Sequence, residues 1–264
     1  RLIKAMEDID IVFHAAALKH VPVIEYNPFE AIKTNVLGSQ NVIDACLHEN
    51  IETVVCVGTD KAVSPLNTYG ATKLLMEKLF VTASNYTNRE RHKTKFIAIR
   101  YGNVLGSSGS VVPTLLKQIE SGRNITITDP NMTRFNITMN QALDFIIRSS
   151  KKGNGGEVFI PKLKAYSLGI LKEAILEVLE KDVKTELISV RPGEKYHESL
   201  ISSEEIRNTF EDKDDYVILE DSLQNNIKTK KSTLTNQYSS DVVECLTKKE
   251  LKKILIEEKL VSTK

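Results

Sequence analysis

The chain has 264 residues, enough for one large domain or for a domain with a smaller lobe, and its 36 basic and 35 acidic side chains leave a net charge of +1. That balance gives no electrostatic footprint for nucleic acid or for a membrane surface. Three scattered cysteines, Cys46, Cys56 and Cys245, suit a reducing compartment better than a disulfide framework.

The sequence opens at Arg1 without an initiator Met, and its first strong element is an apolar run over residues 9–17 that ends in small residues. This reads as a buried parallel strand. No Gly-x-Gly-x-x-Gly turn precedes it, and the glycines between Gly102 and Gly109 have the wrong spacing, so the expectation is a fragment whose first strands lie upstream of Arg1. Residues 28–50 follow as a helix, with Phe29, Ile32, Val36, Ile43 and Leu47 at helical spacing. Residues 52–57 form the next apolar strand and deliver Thr59-Asp60-Lys61 at its carboxyl end, where open α/β sheets place their ligands.

Pro65 and Asn67 mark a turn before a helix over residues 69–85 that begins Tyr69-Gly-Ala-Thr-Lys73. Its phenol and ammonium stand one turn apart on one face. The ammonium favours the phenolate, a base suited to taking a proton from a sugar hydroxyl while a nicotinamide takes the hydride. Asp60 and Lys61 add an acid and a second base, which plain alcohol oxidation does not need. Oxidation of a sugar, loss of water and reduction together do.

Residues 95–101 are a further buried strand. Beyond Gly109 the elements shorten into a smaller α/β lobe: a helix near 113–121, strands at 125–127 and 134–138, a helix to about 150, a strand at 157–160, a helix over 167–180 and a strand at 186–190. Residues 212–235 rise in polarity and read as a linker or loop. Leu251, Ile254, Leu255 and Ile256 form one face of a closing docking helix over 247–260. Strand and helix alternation argues an α/β fold with a doubly wound parallel sheet. No apolar run approaches the ~18 residues of a membrane span and no signal peptide is present, so the protein reads as soluble and cytoplasmic.

Seven segments occur in order: His14-Ala-Ala-Ala-Leu-Lys-His-Val-Pro22, Thr59-Asp-Lys-Ala, Tyr69-Gly-Ala-Thr-Lys73, Arg100-Tyr-Gly-Asn-Val, Gly106-Ser-Ser-Gly-Ser-Val-Val-Pro113, Met132-Thr-Arg-Phe and Arg191-Pro-Gly-Glu-Lys-Tyr-His-Glu198. Over roughly residues 1–200 the chain thereby resembles the extended short-chain dehydrogenases/reductases. More narrowly, it resembles the inverting UDP-N-acetylglucosamine 4,6-dehydratases of pseudaminic acid biosynthesis. Singly, Tyr69 and Lys73 are as well read as a surface pair, Asp60 and Lys61 as a cap, and Arg191-Pro-Gly as a tight turn. The ordered set is what carries the likeness.

The resemblance implies a Rossmann-like sheet without its first strands in residues 1–110, a mainly substrate-binding lobe in 111–211, and a linker with a terminal helix in 212–264. It implies NADP, with NAD as the alternative, and UDP-N-acetylglucosamine as substrate. Tyr69, with Lys73, would take the O4 proton, Lys61 the C5 proton and Asp60 would protonate the leaving C6 hydroxyl, with Thr59 on O4. Ala16, with Tyr69 and Lys73, would face the cofactor. His20 and Asn103 would meet the sugar, Arg134 and Arg191 the diphosphate, and Glu194 a nucleotide hydroxyl. The cradle that holds a pyrophosphate at a helix amino end is missing from this sequence, so this chain alone is expected to be inactive, and micromolar NADP binding by it would overturn the fragment reading.

A homo-oligomer is expected through the helices over 28–50 and 69–85, and no metal, nucleic-acid or membrane partner. His14 reads as a packed histidine, Cys56 as inert core, and His92 and His197 share no zinc spacing with the cysteines. Gly58 stands where the family often has Ser, leaving room for the sugar, while Tyr69 stands where several relatives, including membrane-anchored ones, carry Met. The rival readings are a UDP-sugar 4-epimerase or retaining dehydratase on the same fold, and a non-catalytic nucleotide-sugar sensor. An epimerase has no use for Asp60 and Lys61, and a decayed sensor would not keep all five catalytic-type side chains.

Overall fold

The computed structural model describes residues 1–86, 93–219 and 229–261. Two compact units are present: Arg1–Tyr101 with Leu143–Lys162 and Ser199–Tyr238, and Gly102–Ala142 with Leu163–Glu198 and Ser239–Lys264.

The first unit is built on a seven-stranded sheet. Its order is β1 (Ile11–His14), β2 (Thr53–Val57), β3 (Lys95–Ile99), then Val158–Pro161, Asp215–Ile218, Thr209–Glu211 and Lys230–Lys231. The first four strands are parallel, with Phe13 opposite Val55, Val55 opposite Ile97 and Ala98 opposite Val158. The remaining pairs are antiparallel. Parallel interior strands bury both faces, and Val54, Val55, Cys56, Phe96, Ile97 and Ala98 are accordingly sealed. β1 lies at the sheet edge and leaves Ile11 and Phe13 half exposed. The α/β class with a mostly parallel, Rossmann-like sheet is thus as the sequence reads.

The main sheet takes in Thr209–Glu211, expected in the lobe, and Lys230–Lys231, expected in the linker, and three further segments differ from that reading. Val158–Pro161, expected in the smaller lobe, pairs with β3 in the main sheet, because a wholly apolar strand finds both faces covered only there; Phe159 packs with Val55, Ile97, Ile99 and Phe145. Asp215–Ile218, inside the expected polar linker, is also a sheet strand: its charges are paired (Asp215 with Arg148 at 2.6 Å) while Val217 enters the core. Residues 220–228 of that linker and His92 lie outside the described residues. Finally, the helix expected over 28–50 is broken into Pro28–Ala31, a π-helical turn Ile32–Leu37 and Gly38–His48. The wider turn shifts the buried stripe to Ala31, Asn35 and Ser39, leaving Phe29 and Ile32 exposed.

In the second unit a three-stranded sheet has Thr133–Ile137 between Asn103–Val104 and Ala165–Ser167. The helices Val111–Glu120, Leu168–Val178 and Lys248–Glu257 cover one apolar cluster that includes Leu115, Ile127, Leu171, Leu251 and Leu255. The last helix opens on a capping box of Thr247 and Glu250. Of its four expected apolar residues, Leu251 and Leu255 are buried, Ile254 packs against the cluster and Ile256 stays exposed. Cys46 and Cys56 are buried in the first unit and Cys245 is exposed in the second.

Gly58, at the tip of β2, donates its N–H to the Ile99 carbonyl at 2.7 Å. A Cβ there would lie 2.4 Å from that oxygen. The glycine makes room for the backbone of β3. Gly58→Ser is expected to destabilise the chain by about 1–3 kcal/mol, the usual cost of overpacking, read as a lower urea midpoint at unchanged m-value.

Candidate active site

The site grows from the carboxyl tip of β2. Past Gly58 the chain enters a single 3₁₀ turn, Asp60–Ala62, capped by Thr59, whose hydroxyl accepts from the Lys61 N–H. The Asp60 N–H donates to the Tyr101 carbonyl at 3.2 Å, which fixes the turn against the chain leaving β3. Asp60 is fully buried. Its Oδ1 accepts from the Thr59 hydroxyl at 2.9 Å and from Lys61 Nζ at 3.1 Å. Its Oδ2 is buried without a hydrogen-bond partner, a costly state for a carboxyl oxygen.

The helix Thr68–Tyr86 starts over this turn. A Cβ on Gly70 would stand 2.3 Å from the Lys61 carbonyl, so only glycine lets the helix lie this close. Tyr69 is thereby set beside the turn, within the influence of Thr59, Asp60 and Lys61. Burial pushes the Tyr69 phenol up, the Lys61 ammonium and the Thr59 hydrogen bond draw it down, and Asp60 pushes it up. Lys73, one turn on, is buried; its Nζ donates to the Val57 carbonyl at 2.7 Å, at the end of β2. Burial lowers its pKa while Cys56 and Glu77 hold it up.

Five of the expected residues, Thr59, Asp60, Lys61, Tyr69 and Lys73, are therefore brought together by two elements. Ala16 and His20 lie exposed in the loop after β1. That loop is pinned by a residue the sequence reading missed. The buried Asn35 accepts from the Leu18 N–H at 2.7 Å and donates Nδ2 to the Leu18 carbonyl and to the Thr72 hydroxyl, both at 3.0 Å. Thr72 in turn donates to the Tyr69 carbonyl. The available signal was an amide and a hydroxyl, Asn35 and Ser39, four apart and so on one face of the helix.

His14 is packed, as the sequence reads: its Nε2 lies 3.0 Å from the Ser39 hydroxyl and its ring stacks on Phe80. Because that hydroxyl donates to the Asn35 carbonyl, Nε2 is the donor, and burial, which lowers the pKa to about 4, keeps the imidazole neutral at pH 7. Cys56 is inert core, its thiol pushed up to about 12 by burial.

The second unit holds the remaining residues. Arg134 is buried; it donates to the Thr133 and Tyr196 carbonyls at 2.7 and 3.0 Å and pairs with Glu194 at 3.3 Å. Arg191 and Glu194 close a turn in which the Glu194 N–H donates to the Arg191 carbonyl. Pro192 and Gly193, the latter at φ 75°, have the residue types and geometry of a type II turn. The Arg191 side chain is exposed. Asn103 stands opposite Asn136, two residues beyond Arg134. Among the described residues no group of three or more His, Cys, Asp or Glu is placed to hold a metal, and no helix is long and apolar enough to cross a membrane.

A parallel sheet with a Tyr-x-x-x-Lys helix packed against it marks the short-chain dehydrogenase/reductase class. Within it the chain belongs to the polysaccharide biosynthesis protein family, whose pattern matches residues 1–220. It is 43% identical to an uncharacterized membrane protein of Methanocaldococcus jannaschii, over 97% of this chain and 77% of that one. It is 46% identical to the inverting UDP-N-acetylglucosamine 4,6-dehydratase of Campylobacter jejuni, over 83% of this chain and 64% of the enzyme. A UDP-glucose 4-epimerase of Rickettsia massiliae is 38% identical over 96% of this chain and 75% of its own length. Among solved structures, Pen from Bacillus thuringiensis superposes with a TM-score of 0.91 at 40% identity, covering 99% of this chain and 79% of Pen.

The neutral His14 makes stability depend on acidity. Burial, with a smaller contribution from Lys73, lowers its pKa from 6.5 to about 4, so below pH 6.5 the unfolded chain binds the proton first. Stability is full above pH 6.5 and is lost as pH falls toward 4, by roughly 3 kcal/mol at most. Urea unfolding at pH 7 and pH 4.5 is expected to show the loss, and His14→Gln to show a shallower one.

Proposed function

We propose that the protein carrying this chain is a nucleotide-sugar 4,6-dehydratase acting on UDP-N-acetylglucosamine with inversion at C5, in surface-glycan biosynthesis. The observation that carries the reading is the cluster at the β2 tip, in which the Thr59 hydroxyl and the Lys61 Nζ both donate to the buried Asp60 carboxyl, beside the Tyr69 phenol on which all three act. Three proton-transfer groups in one cluster suit a reaction that moves protons at three successive centres. The likeness to the C. jejuni enzyme supports the substrate. The chain spans 64% of that enzyme's length, so substrate and activity are proposed for the protein as a whole.

A nicotinamide dinucleotide, NADP by this reading, supplies a hydride acceptor for C4 and a donor for C6. The residues present fit its nicotinamide end. Ala15 and Ala16 put an exposed stretch without side-chain bulk beyond β1, Asn35 fixes that loop, and Tyr69 and Lys73 stand on the helix to which Asn35 is tied. Tyr69, as phenolate, accepts the O4 proton. With a ketone at C4 the C5 proton becomes acidic, and Lys61 in its amine form takes it. Asp60, whose Oδ2 is left without a partner by the protein, is the acid that gives a proton to the C6 hydroxyl, which leaves as water. Reprotonation of C5 from the opposite face inverts that centre, and Thr59 steadies the developing charge on O4. His20 and Asn103 are proposed to meet the sugar, Arg134 and Arg191 the diphosphate, and Glu194 a nucleotide hydroxyl. The protein is proposed to work in the cytoplasm as a homo-oligomer.

The second reading, a 4-epimerase, is favoured by the Rickettsia relative but leaves Asp60 and Lys61 without work. Proton NMR of the product formed from UDP-N-acetylglucosamine in D2O separates the two. A 6-deoxy-4-keto sugar with deuterium at C5 is expected, and UDP-N-acetylgalactosamine without it would overturn the proposal. Tyr69→Phe should lower kcat by roughly 10²–10⁴, as for loss of a general base. Lys61→Ala should abolish C5 exchange.

A further inference from the structure

In the second unit one carboxylate bridges the two arginine residues assigned to a diphosphate. Arg134, on the strand Thr133–Ile137, is buried, and its Nη1 is committed to backbone, donating to the Thr133 and Tyr196 carbonyls at 2.7 and 3.0 Å. Its Nη2 faces Glu194 Oε1 at 3.3 Å and the Met132 sulfur at 3.8 Å. The second Glu194 oxygen, Oε2, accepts from the Arg191 N–H, also at 3.3 Å. The Arg191 side chain itself stands exposed.

The two sides of the Arg134 guanidinium are held with different firmness. Charge-assisted N–H···O bonds ordinarily close to about 2.7–2.9 Å, and Arg148 reaches Asp215 at 2.6 Å in the same chain. At 3.3 Å both Glu194 contacts are slack by comparison. The Glu194 side chain is 25% exposed, and ion pairs open to water add little stability. Its turn does not need the carboxylate either, because the Glu194 N–H donates to the Arg191 carbonyl at 3.0 Å and Gly193 supplies the left-handed residue. A competing anion can therefore take the place of the carboxylate while Nη1 keeps Arg134 where it is.

We propose that Glu194 is an internal anion that holds the place of a phosphate group on Arg134 until a nucleoside diphosphate displaces it. The displaced carboxylate then accepts from the nucleotide's hydroxyls. This rests on the reading of Arg134 and Arg191 as diphosphate ligands. It goes beyond that reading by giving Glu194 two alternative partners, and the site a means of refusing bare anions. Inorganic pyrophosphate must expel the carboxylate and offers it nothing in return. UDP expels it and brings hydroxyl donors. Selectivity thus comes from a repulsive element as well as an attractive one, and the ligand shifts the carboxylate only through its differential affinity for the two arrangements.

The test is isothermal titration of the full chain with UDP and with inorganic pyrophosphate, at one fixed ionic strength. It is repeated on Glu194→Gln, which keeps the shape of the side chain and removes its charge. Pyrophosphate is expected to bind Glu194→Gln roughly 3- to 5-fold more tightly than the unaltered chain, the ratio that corresponds to losing a part-exposed competing ion pair. UDP is expected to bind it roughly tenfold more weakly, since a hydroxyl loses a charged acceptor. The preference for UDP over pyrophosphate should thus narrow from both sides.

Equal tightening of the two ligands would mark a carboxylate that merely repels anions. Weaker UDP with unchanged pyrophosphate would mark one that only binds the nucleotide. Either result overturns the proposal, as does the lack of any pyrophosphate binding to Glu194→Gln. If that variant does not fold, Glu194→Asp decides: its shorter carboxylate no longer reaches Arg134, and failure of pyrophosphate to bind more tightly there overturns the assignment. A protein that shows the expected pattern but fails the product assay above would refute the proposed function and leave this assignment standing. One that passes the assay without the pattern would keep the function and lose the assignment.

Discussion

A guanidinium with every N–H engaged is the constraint around which the first unit is arranged. Arg100 lies where β3 ends and binds Glu77 on the long helix together with Glu205 and the Leu200 carbonyl. A lone buried charge of this kind would be intolerable. Two bidentate carboxylates make it a three-way rivet between a strand, a helix and a returning loop. Once that rivet holds, the helix cannot slide along β2 and β3, and the relation of Tyr69 and Lys73 to the β2 tip is set.

Close approach then does the fine positioning. Gly58 lets β2 and β3 meet at their carboxyl ends, and Gly70 lets the helix settle on the Lys61 carbonyl. Both contacts are made where a methyl group would collide with backbone oxygen, which cannot move out of the way as a flexible side chain could. The turn Asp60–Ala62 is trapped between them. Asp60 is consequently buried with one oxygen used twice and the other not at all. A surface turn would have given that second oxygen to water.

Much of this was legible in the residues. The β-branched strand ending at Val57, the polar Thr59-Asp60-Lys61 after it and the Tyr69–Lys73 spacing each obey local rules of period and burial, and they fold as read. What could not be read depends on partners distant in sequence. Val158–Pro161 is apolar enough for any buried strand, and only its pairing with β3 places it in the main sheet. Asp215 looks like linker until Arg148, 67 positions away, neutralises it. The π-turn at Ile32–Leu37 leaves no periodic mark in hydrophobicity; its purpose shows only when Asn35 is seen clasping Leu18 and Thr72. Glu77 and Arg100 were visible as charges in apolar surroundings, yet their mutual bond spans 23 positions.

The cysteines supply a consequence of a different sort. Cys46 and Cys56 are sealed, with thiols pushed up to about 12 by burial, whereas Cys245 is open to solvent. A thiol-specific dye thus consumes one sulfur per native molecule and all three when the fold is lost. The chain thus carries a built-in stoichiometric gauge of opening, with its two silent positions in the helix Gly38–His48 and in β2.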